Sequence, residues 1–114
     1  MIKILNRGFI SVTPKPSFYE EVDKELDNPI TEFTSPEPTI YLIEEDFWDN
    51  QIVLKKHFKK ILSCEKRQLS PLQQLELTEI KAENINQYFT FSFGNLVIDN
   101  EESGIELTKD DLSN

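Results

Sequence analysis

The chain has 114 residues, with 12 Lys+Arg against 21 Asp+Glu and a formal net charge of −9. That length favours one domain, and that charge argues against a general nucleic-acid binder, whose phosphate contacts need Lys and Arg. A hydrophobic content of 38% with 11% aromatic residues suffices for a packed core and excludes wholesale disorder.

In chain order, the first expected element is a β-hairpin. Ile2 and Ile4 alternate with Lys3, and Ile10 and Val12 with Ser11. A three-residue loop, Asn6-Arg7-Gly8, would pair Leu5 with Phe9, Ile4 with Ile10 and Ile2 with Val12, setting the four β-branched residues on one face. Gly8 would supply the left-handed position that such a loop needs. Pro14 and Pro16 end the strand. Ser17 to Leu26 reads as a short helix, with Ser17 and Glu20 as a capping box and Phe18, Val22 and Leu26 as its apolar side. Residues 27–38 carry Pro29, Pro36 and Pro38 and read as a connector. Thr39 to Ile43, β-branched and aromatic, reads as a strand.

The clearest helix is expected from Asp46 to about Arg67. Asp46 is its candidate N-cap, Asp49 falls in the first turn, and Lys66 and Arg67 suit the C-terminal end. Phe47, Leu54, Phe58, Ile61 and Leu62 form its apolar stripe. Leu69 to Asn86 reads two ways. Ser70-Pro71 with Gln73 resembles a helix start, while Leu75-Glu76-Leu77 and Ile80-Lys81-Ala82 alternate like strands. A short helical turn followed by a strand is the favoured reading, and one helix over about 71–84 is its rival. Tyr88 to Asp99 carries the strongest β pattern, with Phe89, Phe91 and Phe93 on one face. Gly94-Asn95 reads as a two-residue turn that sets Phe93 opposite Leu96 and Phe91 opposite Ile98. A last strand is expected over Ile105 to Thr108, and residues 109–114 form a flexible tail. The sum is a single α+β domain over residues 1–114. Its antiparallel sheet consists of an N-terminal hairpin, a central strand and a C-terminal hairpin, packed against one long and one short helix.

The charges are segregated. Residues 55–67 hold Lys55, Lys56, Lys59, Lys60, Lys66 and Arg67 against Glu65 alone, for +5, so the remainder carries −14. Residues 20–49 hold eleven acids against Lys24, for −10, and residues 99–111 six acids against Lys109, for −5. Each block reads either as a solvated surface or as a docking patch. The run Glu44-Glu45-Asp46-Phe47-Trp48-Asp49 sets acids beside aromatics, a composition common at interfaces, with Phe47 assigned to the core.

Catalytic chemistry is not visible. Cys64 is the only cysteine, so no internal disulfide forms, and a lone thiol fits a reducing compartment. It reads as a small, partly buried hydrophobe. His57, the only histidine, has no visible Cys or Ser partner and reads as a helix-surface or edge-of-core residue. Gly8, Gly94 and Gly104 all fall at expected turns, and none belongs to a phosphate-binding loop. Asp99-Asn100-Glu101-Glu102 lacks the spacing of an EF-hand loop and reads as a polar hairpin loop. No signal-peptide core and no run of transmembrane length is present. The expectation is a cytoplasmic, bacterial-type protein that is not an enzyme, needs no cofactor or metal, and does not enter a membrane.

Three segments resemble, loosely, the small acidic immunity proteins of bacterial polymorphic and contact-dependent toxin systems. They are Ile40-Tyr41-Leu42-Ile43-Glu44-Glu45, the helix Leu54-Lys55-Lys56-His57-Phe58-Lys59-Lys60-Ile61-Leu62, and Tyr88-Phe89-Thr90-Phe91. The resemblance implies an inhibitor that binds a cognate toxin and occludes its active site. Many such toxins are nucleases with basic clefts, which an acidic surface would meet quickly. The expected partner is therefore a cognate toxin or another basic protein, met by Glu44, Glu45, Trp48 and Asp49 together with Glu20, Glu21 and Asp23. One alternative is a phage or plasmid regulator touching nucleic acid through Lys55, Lys56, Lys59 and Lys60. A second is a small enzyme whose site is not readable from sequence. The segregated charge is also compatible with a homodimer.

Overall fold

The computed structural model describes residues 3–26, 36–70 and 74–100. In chain order they form β1 (Lys3–Leu5), β2 (Gly8–Pro14), α1 (Pro16–Asp23), β3 (Thr39–Ile43), α2 (Asn50–Leu69), a 3-10 helix (Ala82–Gln87), β4 (Phe89–Gly94) and β5 (Val97–Asp99). The fold is α+β, with every strand pair antiparallel.

β2 lies between β3 and β4, and its alternation decides which way the sheet faces. Ile10 and Val12 are completely covered, and their cross-strand neighbours Tyr41, Phe93 and Phe91 point the same way. Phe18 and Val22 of α1, and Leu54, Ile61 and Leu62 of α2, close over that face. Phe89 meets Phe18 with ring centroids 4.6 Å apart and starts an aromatic row that continues through Phe91 and Phe93 to Phe47. The other face of the sheet leaves Ile40 and Leu42 exposed.

Neither expected hairpin forms. β1 pairs with β5, matching Ile4 to Ile98, and β2 pairs with β4, matching Phe9 to Gly94. The two pairings are separate: β1–β5 is a two-stranded sheet and β3–β2–β4 a three-stranded one, parted by Asn6-Arg7 on one side and Asn95-Leu96 on the other. Neither Gly8 nor Gly94 has a left-handed φ; both are glycine because something comes close. A Cβ on Gly8 would stand 2.8 Å from the Glu44 carbonyl oxygen and 2.8 Å from Phe47 Cε1. A Cβ on Gly94 would run into the Phe9 ring, which lies over it. The β2–β4 pairing lets Phe91 and Phe93 pack beside Ile10 and Val12, whereas Leu96 and Ile98, expected opposite Phe93 and Phe91, are exposed.

The helix ends also shift. Lys15 precedes α1 without a side-chain cap, Pro16 takes the first helical position, and the Ser17 hydroxyl instead donates to the Gln87 carbonyl. α2 is capped by Asp49, not Asp46: its carboxylate accepts from the Gln51 and Ile52 amides at 2.9 and 3.0 Å. Residues 74–80 form neither strand nor helix. Leu75, Leu77 and Ile80 alternate inward as an irregular segment against the core, and the helix that follows is the 3-10 turn at Ala82–Gln87. The proposed start at Ser70-Pro71-Gln73 lies partly outside the described residues, as do Ile2, residues 27–35, the strand expected at 105–108 and the tail.

Leu77 adopts φ of 46°, a left-handed conformation costly for a branched side chain. It is held there by burial and by Glu25, whose carboxylate accepts from the Glu76 and Leu77 amides at 2.7 and 2.8 Å. Glu25→Ala should lower the unfolding free energy by about 1–3 kcal/mol, read as a shifted urea midpoint at unchanged slope. No change would mean that the 74–80 segment holds its shape without the carboxylate.

Candidate functional site

The loop between β3 and α2, residues 44–49, is tied down at Glu44, Glu45, Phe47 and Asp49. At its start, Glu44 accepts from Lys56 Nζ at 2.8 Å and from His57 Nε2 at 2.9 Å. Those two donors hold its carboxyl well below the usual range, at about 2, with Lys56 the larger cause. A carboxylate can only accept, so Nε2 of His57 carries the proton. In the middle, the Asn95 side-chain amide donates to the carbonyls of Glu45 and Phe47 at 2.8 and 3.2 Å. The Phe47 ring packs between Phe93 and Gly8. At its end, Asp49 caps α2.

Trp48, like Asp46, has no such tie. It is 91% exposed, flanked by the exposed acids Glu45 and Asp46, with Ile52 one helical turn on and 65% exposed. An indole that could leave water by turning inward is instead presented outward on a clamped backbone. Phe47 is half-buried against the core, as the sequence pattern predicts.

The expected acidic site is divided. Glu44 and Asp49 are engaged internally, which leaves Glu45 and Asp46 as the outward charges of the loop. Glu20, Glu21 and Asp23 are elsewhere. Their helix shares a cavity of about 320 Å³, through Phe18 and Tyr19, with Glu65, Gln68 and Leu69 of α2. α2 has 20 residues, so at 1.5 Å per residue its two ends lie about 30 Å apart. Glu21 there pairs with Lys24 at 2.8 Å. One docking surface therefore does not take in both sets of acids.

The alternative site is a continuous stripe on α2. Lys55, Lys56, Lys59 and Lys60 follow Ile52 at helical spacing, on the side away from Val53, Leu54, Ile61 and Leu62. With Phe58, Ile80, Lys81, Ala82 and Glu83 they line a groove of about 650 Å³. Among the described residues, only Lys56 of these four has a carboxylate partner.

Two other groups carry chemical interest. Cys64, expected to be partly buried, is exposed. Glu65 is 3% exposed and accepts from the Tyr41 hydroxyl at 2.6 Å. Burial raises the Glu65 carboxyl and the Tyr41 phenol alike, and the hydrogen bond between them opposes the first shift and adds to the second. Sequence reasoning missed this pair, the Glu44–His57 contact and the Asn95 clamp, since each joins residues far apart in the chain. Among the described residues, no group of three His, Cys, Asp or Glu could hold a metal ion, and no helix is long and apolar enough to cross a membrane. Comparison with protein families, curated proteins and solved structures finds no match, so the functional reading rests on this geometry.

Two measurements check the site. Glu44 is depressed in the fold, so its stabilisation is present above pH 4.5 and is lost as pH falls through about 2. Glu44→Gln should cost about 0.5–1 kcal/mol at neutral pH, with the gap to the parent closing across that acid window. Tyr41→Phe should cost about 1–3 kcal/mol while Glu65 is ionised and less at pH 4, where its raised carboxyl is protonated, because the carboxylate needs the donor more than the acid does. A loss at pH 4 equal to that at every higher pH would contradict the assignment.

Proposed function

We propose that the chain is a non-catalytic binding protein that engages a basic protein partner through the loop at residues 44–49. The observation that carries this reading is Trp48, 91% exposed on a backbone held by Glu44, Asn95 and Asp49. A rigid, exposed indole loses little conformational freedom on docking, and tryptophan is the residue type most enriched among binding hot spots. Glu45 and Asp46 beside it supply the negative rim that attracts and orients a cationic surface. The negative field of the rest of the chain reinforces that attraction at long range.

In its most specific form the partner is a toxin domain with a basic cleft, which the loop and its surroundings cover. This extends the resemblance to small acidic immunity proteins and agrees with an acidic, aromatic-tipped surface. A nucleic-acid role for the lysine stripe is less well supported. The groove it lines contains no arginine, the residue best shaped for phosphate, and its floor is apolar.

The test is capture from the source cells by the parent chain and by a Trp48→Ala/Glu45→Lys/Asp46→Lys variant, then titration with the purified partner. The parent should retain a basic protein. Trp48→Ala alone should weaken that complex by roughly thirtyfold, about 2 kcal/mol, and the two charge reversals should chiefly slow association at low salt. A retained partner that binds the triple variant as well as the parent would place the docking surface elsewhere.

A further inference from the structure

The lysine stripe and the Trp48 loop are complementary in charge and in their mix of polar and apolar surface. The groove between α2 and residues 80–83 has Phe58, Ile80 and Ala82 as its apolar lining, with Lys55, Lys59, Lys60 and Lys81 as cations, Lys56 already paired with Glu44, and Glu83 as its one acid. A second cavity of about 240 Å³, lined by Gln51, Ile52, Leu54 and Ile85 among others, shares Lys55, Phe58, Ala82 and Glu83 with it and runs toward the start of α2. Apolar surface with a cationic rim is the counterpart of an indole with an acidic rim. The ring can bury against Phe58 and Ala82, an ammonium can stack on its face, and Glu45 and Asp46 can meet the lysines. Trp48 does not fill the groove of its own chain, since it stands 91% exposed.

We infer that a second copy of this chain is the occupant, with the Trp48 loop of each copy seated in the lysine groove of the other. A two-fold arrangement satisfies both sites at once, because the loop and the groove adjoin the same end of α2. The net charge of −9 opposes approach only at long range, and physiological salt screens it beyond about 8 Å. The inference does not depend on a toxin partner. Where both hold, partner and second copy compete for Trp48.

The chain reports on itself, because Trp48 is its only tryptophan. Sedimentation velocity and tryptophan emission are followed over a dilution series in physiological salt. The sedimentation coefficient should rise with concentration, and the emission should shift to the blue in parallel. The exposed-site variants Lys59→Glu/Lys60→Glu and Glu45→Lys/Asp46→Lys should each associate at least tenfold more weakly. An equimolar mixture of the two should associate again, since a basic loop then meets a groove without net positive charge and an acidic loop a basic one. A parent chain that stays monomeric overturns the proposal, as does association without the emission shift, association untouched by either variant, or a mixture no stronger than its components. Toxin binding that survives in Lys59→Glu/Lys60→Glu separates a failure here from a failure of the proposed function.

Discussion

The double pairing of β2 is the constraint from which the other placements follow. Because β3 takes one edge and β4 the other, β1 cannot fold back on β2 and runs on to meet β5. The pairing of β2 with both neighbours brings Gly8 and Gly94 level with the end of β3 and puts Asn95 beside the chain that leaves it. The missing side chain of Gly8 lets the Glu44 carbonyl and the Phe47 ring come close. The loop that carries Trp48 is thus shaped by strands distant from it in sequence.

α2 serves the same loop from the other side. One face of the helix closes the core with Leu54, Ile61 and Leu62, while its first turn accepts the Asp49 cap and its second offers Lys56 and His57 to Glu44. Two of the four acids in the run from Glu44 to Asp49 are therefore structural. This narrows the meaning of the net charge. A charge of −9 suggests a broad acidic surface, yet Glu44 and Asp49 are bonded to α2, and Glu45 and Asp46 remain as exposed acids beside one large aromatic ring. Specificity at such a site would rest on Trp48, with charge acting on encounter and orientation.

Much of this was legible in the residues, and the failures have a common cause. Periodicity reports which way a side chain faces, so it finds the inward residues of the Phe89–Phe93 strand, the strand at Thr39–Ile43, and Leu54, Ile61 and Leu62 of α2, while it passes over the buried Val53 and takes in Phe47, which precedes the helix. Periodicity says nothing about which strand lies alongside. Glycine reads as a turn signal at Gly8 and Gly94, where it permits close contact within extended chain. Alternation at Leu75-Glu76-Leu77 and Ile80-Lys81-Ala82 reads as a strand. An irregular segment pinned by Glu25 buries Leu75, Leu77 and Ile80 just as well, and only the long-range bonds from the Glu76 and Leu77 amides distinguish the two. Within the site, the acidic and aromatic composition was visible. The internal use of Glu44 by His57 and Lys56 was not, because it depends on how β3 meets α2.

The central claim is that Trp48 is held outward on a rigid loop. The most direct measurement joins iodide quenching of the tryptophan emission with amide ¹⁵N relaxation across residues 44–52, at a dilution where the chain is monomeric. The account predicts an indole open to quencher on a backbone as ordered as α2, with order parameters near about 0.85. A shielded, blue-shifted tryptophan in the monomer, or loop order parameters below about 0.6, would contradict it.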